Sequence, residues 1–474
     1  KDYIEPYMQA VIQELLSVIR QTENDDLTDA LQDLIKQYQD DPRLGQMAVI
    51  IAQHLAMTFK NLLDSDESDD KAVTAMGILT NFDTMMSVIE SKEVRDELEK
   101  IVYSIIEAVF KQGIIDFYED VLAIMVTATL YKISPLMWNL FYLMYEAFER
   151  DGYDFFTDMS SPLHNYLTVD PEVFLANPKN MEILYTMCQK ILSDDDSGED
   201  AECYAAKLFE VAILQFPGRI DQWITPFAQV ALARLTRKVV TSELRVMCLQ
   251  VVVATLYYNP TFLTTILDKL HLPESNEPIT VQFFAQWMGD ANCFLGLHDR
   301  KMFVLGLCSI LGINSTLRPK GLHDCASKII PSLLMIFSGL QRSYERQALL
   351  EEDSDEDGGE IDGDEDVDEG ELESDDDELN EDEVVYVENL AKRVTNALHA
   401  EDADEDEETE LEAYTTTIDN EDAVDEYTVF QQCLLNIQAQ DPAWYNQLTN
   451  NLNEEQKQEL QHLFVLADQR RAAQ

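Results

Sequence analysis

The sequence predicts an all-α fold of stacked helical repeats, interrupted near its end by a long acidic insert. Three observations carry this reading. Apolar residues recur at helical spacing, helix starts are marked by a capping residue followed by proline, and acidic residues concentrate in one segment. Leu44, Met47, Ala48, Ile51, Leu55, Phe59 and Leu62 follow the i, i+3, i+4, i+7 rule of one buried helical stripe. Tyr118, Val121, Leu122, Met125 and Thr129, then Leu136 to Phe148, continue it. Helix starts are read at Ser134-Pro135, Ser161-Pro162, Asp170-Pro171, Asn177-Pro178, Thr225-Pro226, Asn259-Pro260 and Asp441-Pro442. Proline suits the first turn, where its missing N–H leaves no bond unmade, and the residue before it can cap free amides. Short polar turns such as 64–70 and 194–200 separate the helices, and strand-like alternation is not apparent.

Two helices and their turns occupy roughly 40–47 residues, the period of HEAT and armadillo arrays. Residues 1–349 are therefore expected to form a superhelical solenoid of about eight repeats. One compact domain of that length is disfavoured, because single cores stop growing at about 250–300 residues.

The net charge of −58 is concentrated rather than spread. Glu351 to Glu426 hold 37 acidic residues against Lys392 and Arg393, leaving −23 for the other 398 residues. Glu351–Glu383 alone has 22 acidic residues in 33, with four glycines and no basic residue. Like-charge repulsion and the lack of apolar surface predict an unfolded, extended segment there. Val384–His399 could make one short amphipathic helix, and a second acidic run, Glu401–Glu412, follows. Closing helices are expected within 427–474, so residues 350–426 read as an insert tethered on both sides. An anchored loop of about 34 residues reaches roughly 30–35 Å, enough to sweep the concave face of a solenoid.

Such a field attracts basic proteins and argues against nucleic acid as a direct ligand, since phosphate binding needs clustered Lys and Arg. The candidate contacts to basic partners in the first run are Asp353, Asp355, Glu356, Asp357, Asp362, Asp364, Glu365, Asp366, Asp368, Glu369, Asp375, Asp376, Asp377 and Glu378. In the second run they are Glu405, Asp406, Glu407 and Glu408. Each exposed ion pair contributes at most about 1 kcal/mol, so many must act together with folded surface. The competing expectation is a solvated spacer. Ser193, Ser354 and Ser374, each followed by acidic residues, are candidate phosphosites for acidophilic kinases.

Catalytic and metal chemistry find no support. The seven histidines form no ligand motif, no glycine loop could cradle phosphate, and the ordered calcium-loop spacing is missing. Cys293 and His298 bracket Phe-Leu-Gly-Leu, where a turn or core role is expected. Seven cysteines without a CxxC pair read as free, mostly buried thiols. No enzyme, cofactor or metal is expected. The apolar runs Val121–Tyr131 and Val246–Tyr258 are too short to span a bilayer. Arg234, Arg237, Lys238, Arg245, Arg300 and Lys301 are expected to serve contacts within the chain, including docking of the acidic loop.

Several stretches resemble the importin-beta superfamily of nuclear transport receptors, in its importin-7/importin-8 branch. They are Glu23-Asn-Asp-Asp-Leu-Thr28, Gln53-His-Leu-Ala-Met-Thr-Phe59, Asp69-Asp-Lys-Ala-Val-Thr-Ala-Met-Gly-Ile-Leu79 and Gly198-Glu-Asp-Ala-Glu-Cys203. Further along come Thr241-Ser-Glu-Leu-Arg245, Leu256-Tyr-Tyr-Asn-Pro260, Cys293-Phe-Leu-Gly-Leu-His-Asp-Arg-Lys-Met302 and Leu466-Ala-Asp-Gln-Arg-Arg-Ala-Ala473. The resemblance implies a HEAT superhelix shuttling between cytoplasm and nucleus, with ribosomal proteins and linker histones as cargo released by RanGTP. It also implies nucleoporins with Phe-Gly repeats and importin-beta as partners. Such receptors are about twice this length, so the chain is expected to be their carboxy-terminal half. The principal Ran contacts would then precede Lys1, and the tail that engages importin-beta would follow Gln474. A helical scaffold or histone-chaperone-like shield without transport activity is the alternative.

Overall fold

The stripe from Leu44 to Leu62 is buried along one helix, Pro42–Leu63, and apolar residues are likewise buried along the other long helices among the described residues. The computed structural model describes residues 7–22, 26–39, 41–63, 69–261, 278–356, 410–420 and 424–473. These fall into two compact units, Lys1–Val252 and Val253–Gln474, with the division inside one helix.

The first unit contains α1 (Met8–Thr22), α2 (Asp26–Gln37), α3 (Pro42–Leu63), α4 (Asp69–Val88), α5 (Lys92–Gln112) and α6 (Tyr118–Thr129). It continues through α7 (Pro135–Arg150), α8 (Phe156–Thr168), α9 (Pro171–Ala176), α10 (Pro178–Ser193), α11 (Glu199–Gln215), α12 (Asp221–Leu235) and most of α13 (Ser242–Tyr258). Helices pack on the element two places along. One layer runs α1, α3, α5, α7, α10, α12 and the other α2, α4, α6, α8, α11. Each repeat thus covers the apolar face its predecessor leaves open, the packing rule of a helical solenoid.

The second unit contains α14 (Ile279–Gly289), α15 (Leu297–Leu311), α16 (Lys320–Asp324), α17 (Ala326–Glu356), α18 (Glu426–Gln440), α19 (Pro442–Thr449) and α20 (Glu454–Ala473). Here α15, α18 and α20 pack in succession, while α17 packs on α15 and on α19. Among the described residues there is no β-strand, and the fold is the all-α HEAT-type class that the sequence predicts.

A helix opens at four of the seven capping-residue–proline pairs, and at three of them the side chain caps. Ser134, Asn177 and Asp441 accept bonds from backbone N–H groups of their first turns, and Asp170-Pro171 opens α9. Pro162 and Pro226 differ, because they lie inside α8 and α12. Burial of Phe156 and Met159 ahead of one, and of Ile224 ahead of the other, starts each helix a turn early. That apolar contact offsets the backbone bond a mid-helix proline forfeits. Asn259-Pro260 stands at the edge of the described residues.

Close helix approach depends on glycine at a few positions. Gly77 on α4 faces the Thr28 side chain of α2, where a Cβ would overlap the hydroxyl. Asn81 fastens the same contact, donating to the Thr28 carbonyl at 2.9 Å and the Gly77 carbonyl at 2.8 Å. Gly45 on α3 faces open space. Gly77→Ala should therefore destabilise the first unit by about 1–3 kcal/mol through overpacking. Gly45→Ala should stabilise it by about 0.5–1 kcal/mol by removing a helix-interior glycine. Denaturation midpoints moving in opposite directions for the two variants would verify this.

Candidate functional site: the anchors of the acidic segment

Helix α15 is buried on nearly every face, so its first turn needs partners from within the protein. They come from residues 410–420, which return from the acidic segment as a 3-10 turn and loop. Leu411, Tyr414, Thr416 and Ile418 are buried there. A Cβ at Gly296, the residue capping α15, would overlap the Glu412 carboxylate. His298 places Nδ1 2.9 Å from both carboxylate oxygens of Asp419. Asp419 Oδ2 also accepts from the Thr416 N–H at 2.7 Å and its hydroxyl at 3.0 Å. Two carboxylates thus meet the amino end of a helix, where the backbone dipole favours negative charge. Arg300, one turn on, donates to the carbonyls of Phe294 and Gly339 at 3.1 Å and to Ser343 Oγ at 2.7 Å, tying this turn to α17.

The exit and the return of the segment are also joined. Tyr344 on α17 donates to Glu426 Oε1 at 2.9 Å, at the first residue of α18. Phe337 packs on Tyr427 and Phe430 with ring centroids 4.7 and 5.1 Å apart. Arg470 of α20 lies over the rings of Tyr344 and Tyr427 and pairs with Asp425 at 2.5 Å. Burial raises the Glu426 carboxyl above its ordinary pKa, despite the opposing Tyr344 hydrogen bond.

The sequence places the start of the acidic segment differently from the structure. Glu351 was expected to begin unfolded chain, yet α17 continues to Glu356 and carries Asp353, Ser354, Asp355 and Glu356 on its last turns. A long helix already nucleated propagates readily through glutamates, which are good helix formers. Similarly, residues 410–420 fall within the stretch read as insert but are packed, because apolar residues alternate with the acids there. Asp357, Asp362, Asp364, Glu365, Asp366, Asp368, Glu369, Asp375, Asp376, Asp377, Glu378, Glu405, Asp406, Glu407, Glu408, Ser374 and the helix at 384–399 lie outside the described residues.

The singled-out arginines serve internal contacts. Arg234 pairs with Glu202 at 2.5 Å in the core. Arg237 closes the carboxyl end of α10, donating to the Leu192 carbonyl and pairing with Asp195. Its Nη1 reaches the Ser193 carbonyl at 3.5 Å, beside the exposed Ser193 side chain. Sequence reasoning missed His298 as an anchor, because its partner Asp419 lies 121 residues away. Among the described residues no group of three metal-ligating side chains occurs, and no helix is long and apolar enough to cross a membrane.

On the first unit, carboxylates crowd α6 and α8. Burial, and then neighbouring Glu119, raises Asp120 to about 6. The same two causes raise Asp158 on α8. This surface gains from a nearby positive charge, which would relieve the repulsion.

A family model described as importin-11-like TPR repeats matches residues 77–431. The chain is 43% identical to importin-8 of Homo sapiens over 99% of its own length and 45% of that protein. It is 44% identical to importin-8 of Danio rerio, over 100% of this chain and 47% of that one. The solved structure of Lph2, titled a bidirectional nuclear transport receptor in S. cerevisiae, shares the fold. Its TM-score is 0.56 over 98% of this chain and 46% of that chain, at 14% identity. The chain belongs to the importin-beta superfamily. It spans about half the length of the curated relatives it matches.

Asp419→Ala removes the His298 partner and two acceptor bonds from the returning loop. Loss of buried hydrogen bonding of about 1.5–3 kcal/mol should speed amide exchange in 410–420 by roughly 10- to 100-fold. Exchange as slow as in the parent protein would contradict the anchoring role. Asp120 supplies a pH test. Its folded pKa lies above the unfolded value, so ionisation destabilises the fold above about pH 6, and the penalty vanishes as pH falls below about 4. Asp120→Asn should therefore raise the melting temperature at pH 7.5 and leave it unchanged below about pH 4. For a half-exposed, solvent-screened group the gain is on the order of 1 kcal/mol.

Proposed function

We propose that this chain is the cargo-holding part of a nuclear import receptor, and that its acidic segment clasps basic proteins such as ribosomal proteins and linker histones. One observation carries the reading. A segment with 22 acidic residues in 33 is inserted between packed helices of an importin-beta superfamily chain, and both of its flanks are fastened. A tethered polyanion presents many weak contacts at high local concentration, and its long-range field speeds encounter with a cationic partner. The crowded carboxylates of α6 and α8 add a folded surface of the same sign. Contacts to Asp353 through Glu378 and to Glu405 through Glu408 form the clasp, with phosphate at Ser193, Ser354 and Ser374 adding to it.

Release by RanGTP, passage by way of Phe-Gly nucleoporins, partnership with importin-beta and shuttling between cytoplasm and nucleus belong to the same proposal. A cleft of about 190 Å³ between the α9–α10 corner and the α11–α12 turn supports the nucleoporin contact. Leu175, Met181, Ile220 and Trp223 line it, apolar groups suited to a phenylalanine ring.

Replacing residues 357–409 by a short Gly/Ser linker keeps both anchors and removes the polyanion. Affinity for a Lys-rich linker-histone tail should fall at least about tenfold near 0.1 M salt, with a flatter dependence of log Kd on log salt. Equal affinity and equal slope for the two proteins would assign the segment to solubility alone. In the complete receptor, RanGTP should elute the same cargo; retention of cargo would favour a shield for basic proteins without transport.

A further inference from the structure

We propose that Cys308 and Cys433 are a thiol pair that closes to a disulfide under peroxide, stapling α15 to α18 where the chain returns from the acidic segment. The two cysteines are separated by 125 positions and meet because α15 packs on α18. Cys433 Sγ lies 3.5 Å from the Cys308 carbonyl oxygen. The neighbouring Cys433 thiol and burial both raise the Cys308 thiol above its ordinary range, which agrees with two side chains that face one another. Both sit on regular helix interior, Cys433 two turns after the α18 start and Cys308 in the last turn of α15. With one sulfur already against the other cysteine's carbonyl, a bond of about 2 Å between the sulfurs asks for side-chain rotation between two packed helices rather than a new fold.

Exposure gives the pair an order of reaction. Cys433 is half-exposed, while Cys308 is buried. The other half-exposed thiol is Cys293; Cys188, Cys203, Cys248 and Cys325 are buried. Cys203 and Cys248 are near enough to influence each other, but both are enclosed, which denies an oxidant entry. Among the described residues Cys433 combines partial access with a cysteine neighbour across a helix contact.

The chemistry balances with hydrogen peroxide as the oxidant. The Cys433 thiolate attacks one peroxide oxygen, the O–O bond breaks, and hydroxide leaves as water after taking a proton, giving the sulfenic acid. The Cys308 thiolate then attacks the Cys433 sulfur, the S–O bond breaks, and a second water departs with the Cys308 proton. Two thiols are oxidised by two electrons and one peroxide is reduced to two waters. The Cys433 neighbour and burial both raise the Cys308 thiol pKa, so the second step is the slower of the two. In a reducing compartment it would be a reversible, regulatory bond. Its consequence is local, because it clamps α18 on the helix whose amino end already holds Glu412 and Asp419. The staple does not depend on what the acidic segment binds.

The test is peptide mapping of the intact chain after graded hydrogen peroxide, with free thiols alkylated before a non-reducing digest. The expected result is one dominant linked pair, Cys308 with Cys433, lighter by two hydrogens than the separate peptides and split by dithiothreitol. Amide exchange across 426–440 should slow in the oxidised protein. Cys433→Ser should abolish both changes while leaving the circular dichroism spectrum intact, whereas Cys293→Ser should preserve them. The wild-type map decides the matter without any variant. Cys433 over-oxidised to sulfinic acid, linked to another cysteine, or still alkylatable at doses that convert Cys293 would each overturn the proposal.

Discussion

The second unit depends on one constraint: α15 is enclosed, yet it carries His298 and Arg300 and the free amides of its first turn. None of these groups can reach bulk water cheaply, so each must be answered by protein. Arg300 is answered by carbonyls of Phe294 and Gly339 and by Ser343, which locks α17 alongside. His298 is answered by Asp419, and the capping glycine leaves room for Glu412. The acidic segment is therefore bound into the fold by the same chemistry that completes a buried helix.

The first unit solves the equivalent problem around α11, which is buried from Glu202 to Leu214. Glu202 meets Arg234, and Lys207 meets Glu210 at 3.0 Å. Glu199 accepts from the backbone N–H groups of Val240 and Thr241, each at 2.7 Å. Buried ion pairs add little net stability, but removing one partner leaves an uncompensated charge; Glu202 with Arg234 registers α11 against α12, whereas Lys207 with Glu210 lies within α11.

Those contacts explain why the short stretches resembling the importin family lie where they do. Gly77 and Thr28 touch across α2 and α4, Glu199 meets Thr241, and Gly296, His298 and Arg300 gather on one turn. Asp468, Arg470 and Arg471 hold the start and first turns of α18. These motif residues are fasteners between repeats and anchors of the segment.

Helical periodicity and the charge run were legible in the sequence because both are local: a buried stripe repeats every few residues, and repulsion among acids needs no knowledge of neighbours. These determined the all-α repeat class and the buried residues from Leu44 to Leu62. Helix starts were only partly legible, since tertiary burial carried α8 and α12 back past their prolines. Pairings across long separations, Asp419 with His298, Arg234 with Glu202 and Cys433 with Cys308, were decided by tertiary structure alone. The physical reason is that stacking turns distant positions into neighbours, and no local pattern records which enclosed group will need which partner.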